Sequence, residues 1–192
     1  ATTEQIGKWA KHFQVTIMIG VNEVVPKGRG NGTIYNSLLL FSPEGKLVNH
    51  HRKLMPTYTE KLLYGHGDGR GFKTVDTGFG DIGGLICWEN YMPLARMSMY
   101  RQGIEIYIAP TADSRESWTA TMRHIAMEGR CFVLGCNQYY TKSIYPDEYK
   151  HMVEEEEEDM CAGGSIIVSP LGKILAGPLL GEAGGVIATI DL

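Results

Sequence analysis

Between residues 81 and 137 the hydrophobic pattern switches repeatedly between strand-like and helix-like, and that alternation constrains the fold more than any other feature. Residues 81–86 read as a buried strand, 93–102 as a helix, 104–109 as a strand, 118–129 as a helix and 131–137 as another strand. Helices between neighbouring strands act as crossovers, which points to a sheet with helices on its faces. The flanks are different. A helix at 1–12 precedes strands near 16–24, 34–41 and 46–49, with Phe41-Ser42-Pro43-Glu44-Gly45 as a hairpin turn. Further strands are expected at 165–169, 173–177 and 185–190. Hairpins mixed with crossover helices predict an α/β sandwich with helices on the outer faces. At 192 residues the chain has room for a single domain, 1–192, with a real core.

Within that pattern the stretch Gly83-Gly84-Leu85-Ile86-Cys87-Trp88-Glu89-Asn90 stands out. A small apolar strand ends in a cysteine and turns polar before the next helix. A cysteine on a sharp strand-to-helix turn projects its sulfur from the sheet edge, as the nucleophile does in a G-x-S-x-G elbow. There the Trp88 amide and the helix N-terminus favour negative charge. The competing reading is core packing, since cysteine is among the most buried residue types.

Upstream lie His50-His51-Arg52-Lys53-Leu54-Met55-Pro56-Thr57, then Glu60 and the glycine-rich Tyr64-Gly65-His66-Gly67-Asp68-Gly69. Lys53 falls just past a strand end, as Cys87 does. Residues 104–109 end in Pro110-Thr111-Ala112-Asp113-Ser114-Arg115, a third polar strand end. In open α/β folds, chemistry collects at such ends.

Together these residues resemble the nitrilase superfamily, and within it the nitrilase branch. The resemblance continues through Met122-Arg123-His124-Ile125-Ala126, Glu128-Gly129-Arg130-Cys131-Phe132-Val133, Asn137-Gln138 and Cys161-Ala162-Gly163-Gly164-Ser165, nearly the whole chain in the family's order. It implies a four-layer α-β-β-α sandwich that pairs across helices into dimers and longer spirals, so a homo-oligomer is expected. It implies hydrolysis of a small-molecule nitrile to a carboxylic acid and ammonia, with no cofactor. Cys87 would be the nucleophile, Lys53 would stabilise developing charge, and Glu60 would match a second glutamate beside the lysine. Tyr64, Trp88 and Tyr91 match pocket-lining positions, Tyr64 standing where relatives more often carry tryptophan, and Thr111 and Ala112 would form another wall. The family's catalytic glutamate lies on an early strand without counterpart here, and Glu4 and Glu23 sit in the wrong surroundings to replace it. The sequence therefore reads as a piece of a nitrilase or a natural truncation, whose sheet would expose a raw edge and favour aggregation or a partner. An amidase or carbamoylase of the same superfamily, or an inactive fragment serving as an assembly module, are the alternative readings.

The remaining features narrow the function classes. The net charge of −4 does not recommend nucleic acid, and no run of about 18 apolar residues suggests a membrane span. A thiol nucleophile favours a reducing cytoplasm. Cys131 and Cys136 flank an apolar strand at a spacing that puts them on opposite faces, and Cys161 precedes an expected tight bend at 162–164. No C-x-x-C pair occurs, and His124 with Glu128 lacks a third ligand, so no metal is expected. The glycine-rich stretch joins no strand to a helix in a dinucleotide-binding unit and is expected to be a flexible loop near Lys53. Residues 154–159, six consecutive carboxylates, are expected to form a solvated surface loop.

Overall fold

A computed structural model describes residues 3–192, which divide into two compact units with the boundary between residues 108 and 109. In the first unit, helix α1 (Thr3–Phe13) corresponds to the predicted 1–12 helix, whose first two residues lie outside the described ones. Its Ile6 and Ala10, one turn apart, bury against Leu39 and Phe41, with Ile17 and Val21 at the flank. Burying side chains such as Leu39 and Phe41 contributes about 1.5–3 kcal/mol each. Those partners lie on an antiparallel sheet ordered β1 (Ile17–Val24), β2 (Ile34–Phe41) and β3 (Leu47–Arg52). The hairpin turn between β2 and β3 is closed by the Ser42 amide on the Lys46 carbonyl (2.9 Å) and the Gly45 amide on that of Ser42 (2.8 Å). Among the described residues, β1 pairs only with β2.

The same unit holds β4 (Val75–Asp76), antiparallel to β5 (Asp81–Gly84), which runs parallel to β6 (Ile106–Thr111). Helix α2 (Pro93–Tyr100) is the crossover between β5 and β6. Proline at its first position suits a place where the missing amide would have no intrahelical partner. Strand β6 begins and ends two residues later than the sequence suggested, so Thr111 closes the strand and does not follow it. The division between units falls within this strand.

In the second unit, α3 (Glu116–Gly129) packs on β7 (Phe132–Asn137) and β9 (Asp159–Val168) through buried Trp118, Met122, Ile125 and Ala126. A left-handed Arg130 stops the helix. Strand β9 pairs antiparallel with β7, with the short β8 (Tyr139–Thr141) and with β10 (Ile174–Leu180).

Two expectations are corrected in this unit. The bend foreseen at 162–164 lies inside the continuous β9: Gly163 and Gly164 take φ of 83° and 111°, which lets the strand change partners without breaking. Residues 185–190 form no strand. Their burial still alternates, but Ile187 is 91% exposed and no neighbouring strand pairs with them among the described residues. Alternation supplies a face, and only a partner edge supplies the ladder. The acidic residues Glu154–Glu158 are all exposed.

Candidate active site

The first half of the site is an excursion of the chain between two stitches on β2. The Lys53 amide donates to the Asn36 carbonyl (2.7 Å), and the Gly65 amide donates to that of Ile34 (2.8 Å). Between them a 3-10 turn, Tyr58–Leu62, carries Glu60 back toward Lys53. The Lys53 side chain is 1% exposed, and its Nζ donates to Glu60 Oε2 (2.6 Å) and Thr57 Oγ1 (2.8 Å). Glu60 also accepts from the Thr57 amide (2.5 Å) and from Asn36 Nδ2 (2.9 Å). Burial alone would raise its carboxyl pKa. The hydrogen bonds from Lys53, the Thr57 amide and Asn36, with the charge of Lys53, outweigh that and hold it below the ordinary range. A buried ammonium is thus matched to an ionised carboxylate.

The glycine-rich segment is packed against the strand that delivers Lys53. The Gly67 amide donates to the Lys53 carbonyl (2.8 Å), and a Cβ at Gly67 would stand 2.1 Å from the Arg52 carbonyl oxygen. A Cβ at Gly71 would stand 2.3 Å from the His51 Cα. The segment is near Lys53 as expected, but these two glycines serve close approach of backbones, not flexibility.

The second half of the site follows β5. Ile86 is extended, and Cys87 then takes φ of 51°, a left-handed conformation rare for a residue with a side chain. Cys87 opens a 3-10 turn, Cys87–Tyr91, and is half-buried. Two buried polar side chains hold this turn. Asn90 Nδ2 donates to the carbonyls of Leu85 (3.0 Å) and Cys87 (2.7 Å), while its Oδ1 accepts from the Tyr107 hydroxyl (2.8 Å). Glu89, wholly buried, accepts from the Ile86 amide (2.7 Å), the Leu54 amide (2.6 Å) and His51 Nε2 (2.9 Å to Oε2). Leu54 follows Lys53 and Ile86 precedes Cys87. One carboxylate therefore joins the two strand ends that carry the lysine and the cysteine.

Other expected residues are placed as follows. Trp88 and Tyr91 are 44% and 40% exposed and meet edge to face, ring centroids 5.3 Å apart. Tyr64 is half-buried, its hydroxyl donating to Asn22 Oδ1 (3.2 Å). Thr111, buried, and Ala112, exposed, belong to the second unit. There Asn137 Nδ2 donates to the Asp113 carbonyl (2.7 Å), and a cavity of about 220 Å³ is lined by Asp113, Arg115, Thr119, Asn137 and Leu180 among others. Glu23 is taken up elsewhere, by Arg52, by His50 Nε2 (2.8 Å) and by the Ser37 hydroxyl (2.6 Å). His124 Nε2 and Glu128 Oε1 lie 3.5 Å apart on the solvent side of α3. Cys131, just before β7, is buried, and Cys136 within it is exposed.

Sequence reasoning did not single out Glu89 or His51. Glu89 has no diagnostic spacing to Leu54, 35 residues away. By contrast, Thr57-x-x-Glu60 has the form of a capping box, and one half of it is realised: Glu60 takes the Thr57 amide, while the Thr57 hydroxyl goes to Lys53.

A carbon-nitrogen hydrolase family model matches residues 1–192. An aliphatic nitrilase of Sinorhizobium fredii is 49% identical over 191 residues, covering 99% of this chain and 59% of that protein. A bifunctional nitrilase/nitrile hydratase of Nicotiana tabacum is 46% identical over 187 residues, covering 94% and 52%. The chain thus spans a little over half the length of these relatives. In fold it is similar to a carbon-nitrogen hydrolase of Helicobacter pylori (TM-score 0.75, 23% identity, 94% of this chain and 64% of that one). It is also similar to an amidase from Nesterenkonia (TM-score 0.77, 16% identity, 98% and 68%). The chain belongs to the carbon-nitrogen hydrolase family, and its mixed α/β fold is of the nitrilase-superfamily class that the sequence implied.

Proposed function

We propose that the protein hydrolyses small-molecule nitriles to carboxylic acids and ammonia, with Cys87 as nucleophile. The observation that carries this reading is the left-handed Cys87 at a strand end, tied through Glu89 to the strand end that presents the buried Lys53. Similarity to nitrilases from a bacterium and a plant supports the nitrile as substrate class. The Cys87 thiolate adds to the nitrile carbon, and a proton reaches nitrogen, giving a thioimidate. Water adds to that carbon, ammonia leaves, and a second water cleaves the resulting thioester to the acid and the free thiol. The thiolate is the nucleophilic form of the cysteine. Lys53 stabilises charge that builds on nitrogen and later on oxygen. Glu60 already accepts three hydrogen bonds and is held ionised, which suits it to holding Lys53 in place. Trp88, Tyr91 and Tyr64 line the substrate's approach.

The expected setting is the cytoplasm and the expected state a homo-oligomer, to be checked by sedimentation. Among the described residues no helix is long and apolar enough to cross a membrane. The test of function is ammonia release from aliphatic and aromatic nitriles, alongside the matching amides, by the protein and by Cys87→Ala. Release from nitriles that disappears with Cys87 supports the reading. Release from amides alone would move the substrate class to amides, and release unaffected by Cys87→Ala would remove Cys87 from the mechanism.

A further inference from the structure

We propose that Glu89 is a positioning residue shared by Lys53 and Cys87; this deepens the nitrilase reading and rests on it for turnover, though not for the reactivity of Cys87. A carboxylate with no solvent exposure is costly to bury unless its oxygens are met by donors. Here the Leu54 amide meets Oε1, the Ile86 amide meets Oε2, and His51 Nε2 lies 3.1 and 2.9 Å from the two oxygens. A carboxylate only accepts, so Nε2 carries the His51 proton in this contact. His51 Nδ1 is buried and has no hydrogen-bond partner among the described residues.

Capping one short turn does not require such a group. A 3-10 turn of five residues needs a single acceptor at its start, and an exposed side chain would provide it at little cost. What only a buried, acceptor-only fork provides is a simultaneous grip on amides from two strand ends. Those amides are the peptide units on either side of the chemistry: Lys53–Leu54 and Leu85–Ile86. Glu89 therefore acts through Lys53 and Cys87. It fixes the backbone on which the ammonium and the sulfur stand, and Asn90 holds the same turn by its carbonyls.

The test uses Glu89→Gln and Glu89→Asp in the otherwise unchanged protein. Glutamine has the same shape but one acceptor oxygen, so its NH₂ must face the amide of either Leu54 or Ile86, donor against donor. Aspartate keeps the charge and loses the reach to span both amides. Three readouts apply: thermal melting, kcat and KM for nitrile hydrolysis, and the pH-dependent rate of Cys87 alkylation by iodoacetamide, resolved by peptide mass from the exposed Cys136.

A misplacement near 1 Å costs about 100-fold, so Glu89→Gln should lower kcat by about that factor and leave KM within about threefold. Glu89→Asp should lower kcat by at least about tenfold, again at constant KM. Alkylation of Cys87 at neutral pH should slow in Glu89→Gln. Removing a nearby negative charge would by itself make the thiol more acidic and alkylation faster, so the two causes have opposite signs. Faster alkylation, or kcat within about threefold of the parent in either folded variant, would overturn the proposal. If the parent releases no ammonia from any nitrile while alkylation still slows in Glu89→Gln, the nitrile reading falls and the positioning role stands.

Discussion

Gly67→Ala is the smallest change that should separate the position of Lys53 from its chemistry. The added methyl would sit 2.1 Å from the Arg52 carbonyl oxygen and 2.8 Å from the Lys53 carbonyl oxygen, both rigid backbone atoms. Ordinary van der Waals separation begins near 3.4 Å, so the glycine segment and the end of β3 must part by more than an ångström. The Gly67–Lys53 hydrogen bond of 2.8 Å is then stretched or lost. Overpacking of this kind costs about 1–3 kcal/mol, which outweighs the gain of about 0.4–1 kcal/mol that alanine brings by restricting the unfolded chain. On the proposed function, in which the displaced strand end carries Lys53 to the reacting atoms, kcat for nitrile hydrolysis should fall by about 100-fold. The control is Gly69→Ala. Gly69 has φ of 76° and open space around its missing Cβ, so alanine there strains the backbone by about 1–2 kcal/mol without pushing on β3. Urea unfolding and ammonia release on both variants decide the matter. Similar losses of stability with a kcat loss confined to Gly67→Ala are expected. Gly67→Ala with kcat within about threefold of the parent, or Gly69→Ala equally impaired, would refute the reasoning.

Three further outcomes are expected. Glu60→Gln leaves the Lys53 ammonium without its ionised partner and should reduce kcat at least about tenfold, with about 1–2 kcal/mol of stability lost because the pair is partly exposed; full turnover would exclude Glu60 from the site. Burial alone would raise the Glu23 pKa, but hydrogen bonds from Arg52, Ser37 and His50 bring it down to about 2 from 4.5. A depressed folded-state pKa contributes stability that is complete above the unfolded value and is lost as pH falls from about 4.5 to about 2. Glu23→Gln should flatten urea stability across that window by about 1–2 kcal/mol, allowing for solvent screening, and an unchanged slope would count against the assignment. Replacing Glu154–Glu158 by glutamine should leave oligomer size unchanged in size-exclusion chromatography, since all five side chains are exposed; a salt-independent change of size would assign that loop to an assembly contact.

Much of the fold was legible because each element carries its own period: α1 through α3 and the strands β1 to β3 and β5 to β7 fall within a few residues of their expected places. Residues 185–190 failed because alternation describes a face and says nothing about whether a partner edge is present. The local parts of the site were legible too. Lys53 and Cys87 sit at strand ends, and the Thr57-x-x-Glu60 spacing encodes a turn that returns Glu60 to Lys53. Glu89 was not, because its importance comes from a hydrogen bond to an amide 35 residues away, and backbone donors leave no mark on the sequence. The packing of Gly67 and Gly71 was misjudged for a related reason: a glycine that avoids a clash and one that permits a bend look identical until the opposing backbone is known.

The left-handed Cys87 has an evolutionary consequence. An L-residue in that conformation costs about 1–2 kcal/mol that glycine avoids. The backbone at this position would therefore accept glycine, or even asparagine, more readily than the residue it holds. A lineage released from the need for a thiol would drift toward those residues and become more stable in doing so. The same gradient would operate in the laboratory: a library of this chain selected only for heat resistance should enrich Cys87→Gly while ammonia release disappears. Stability and activity would have to be selected together for the sulfur to survive.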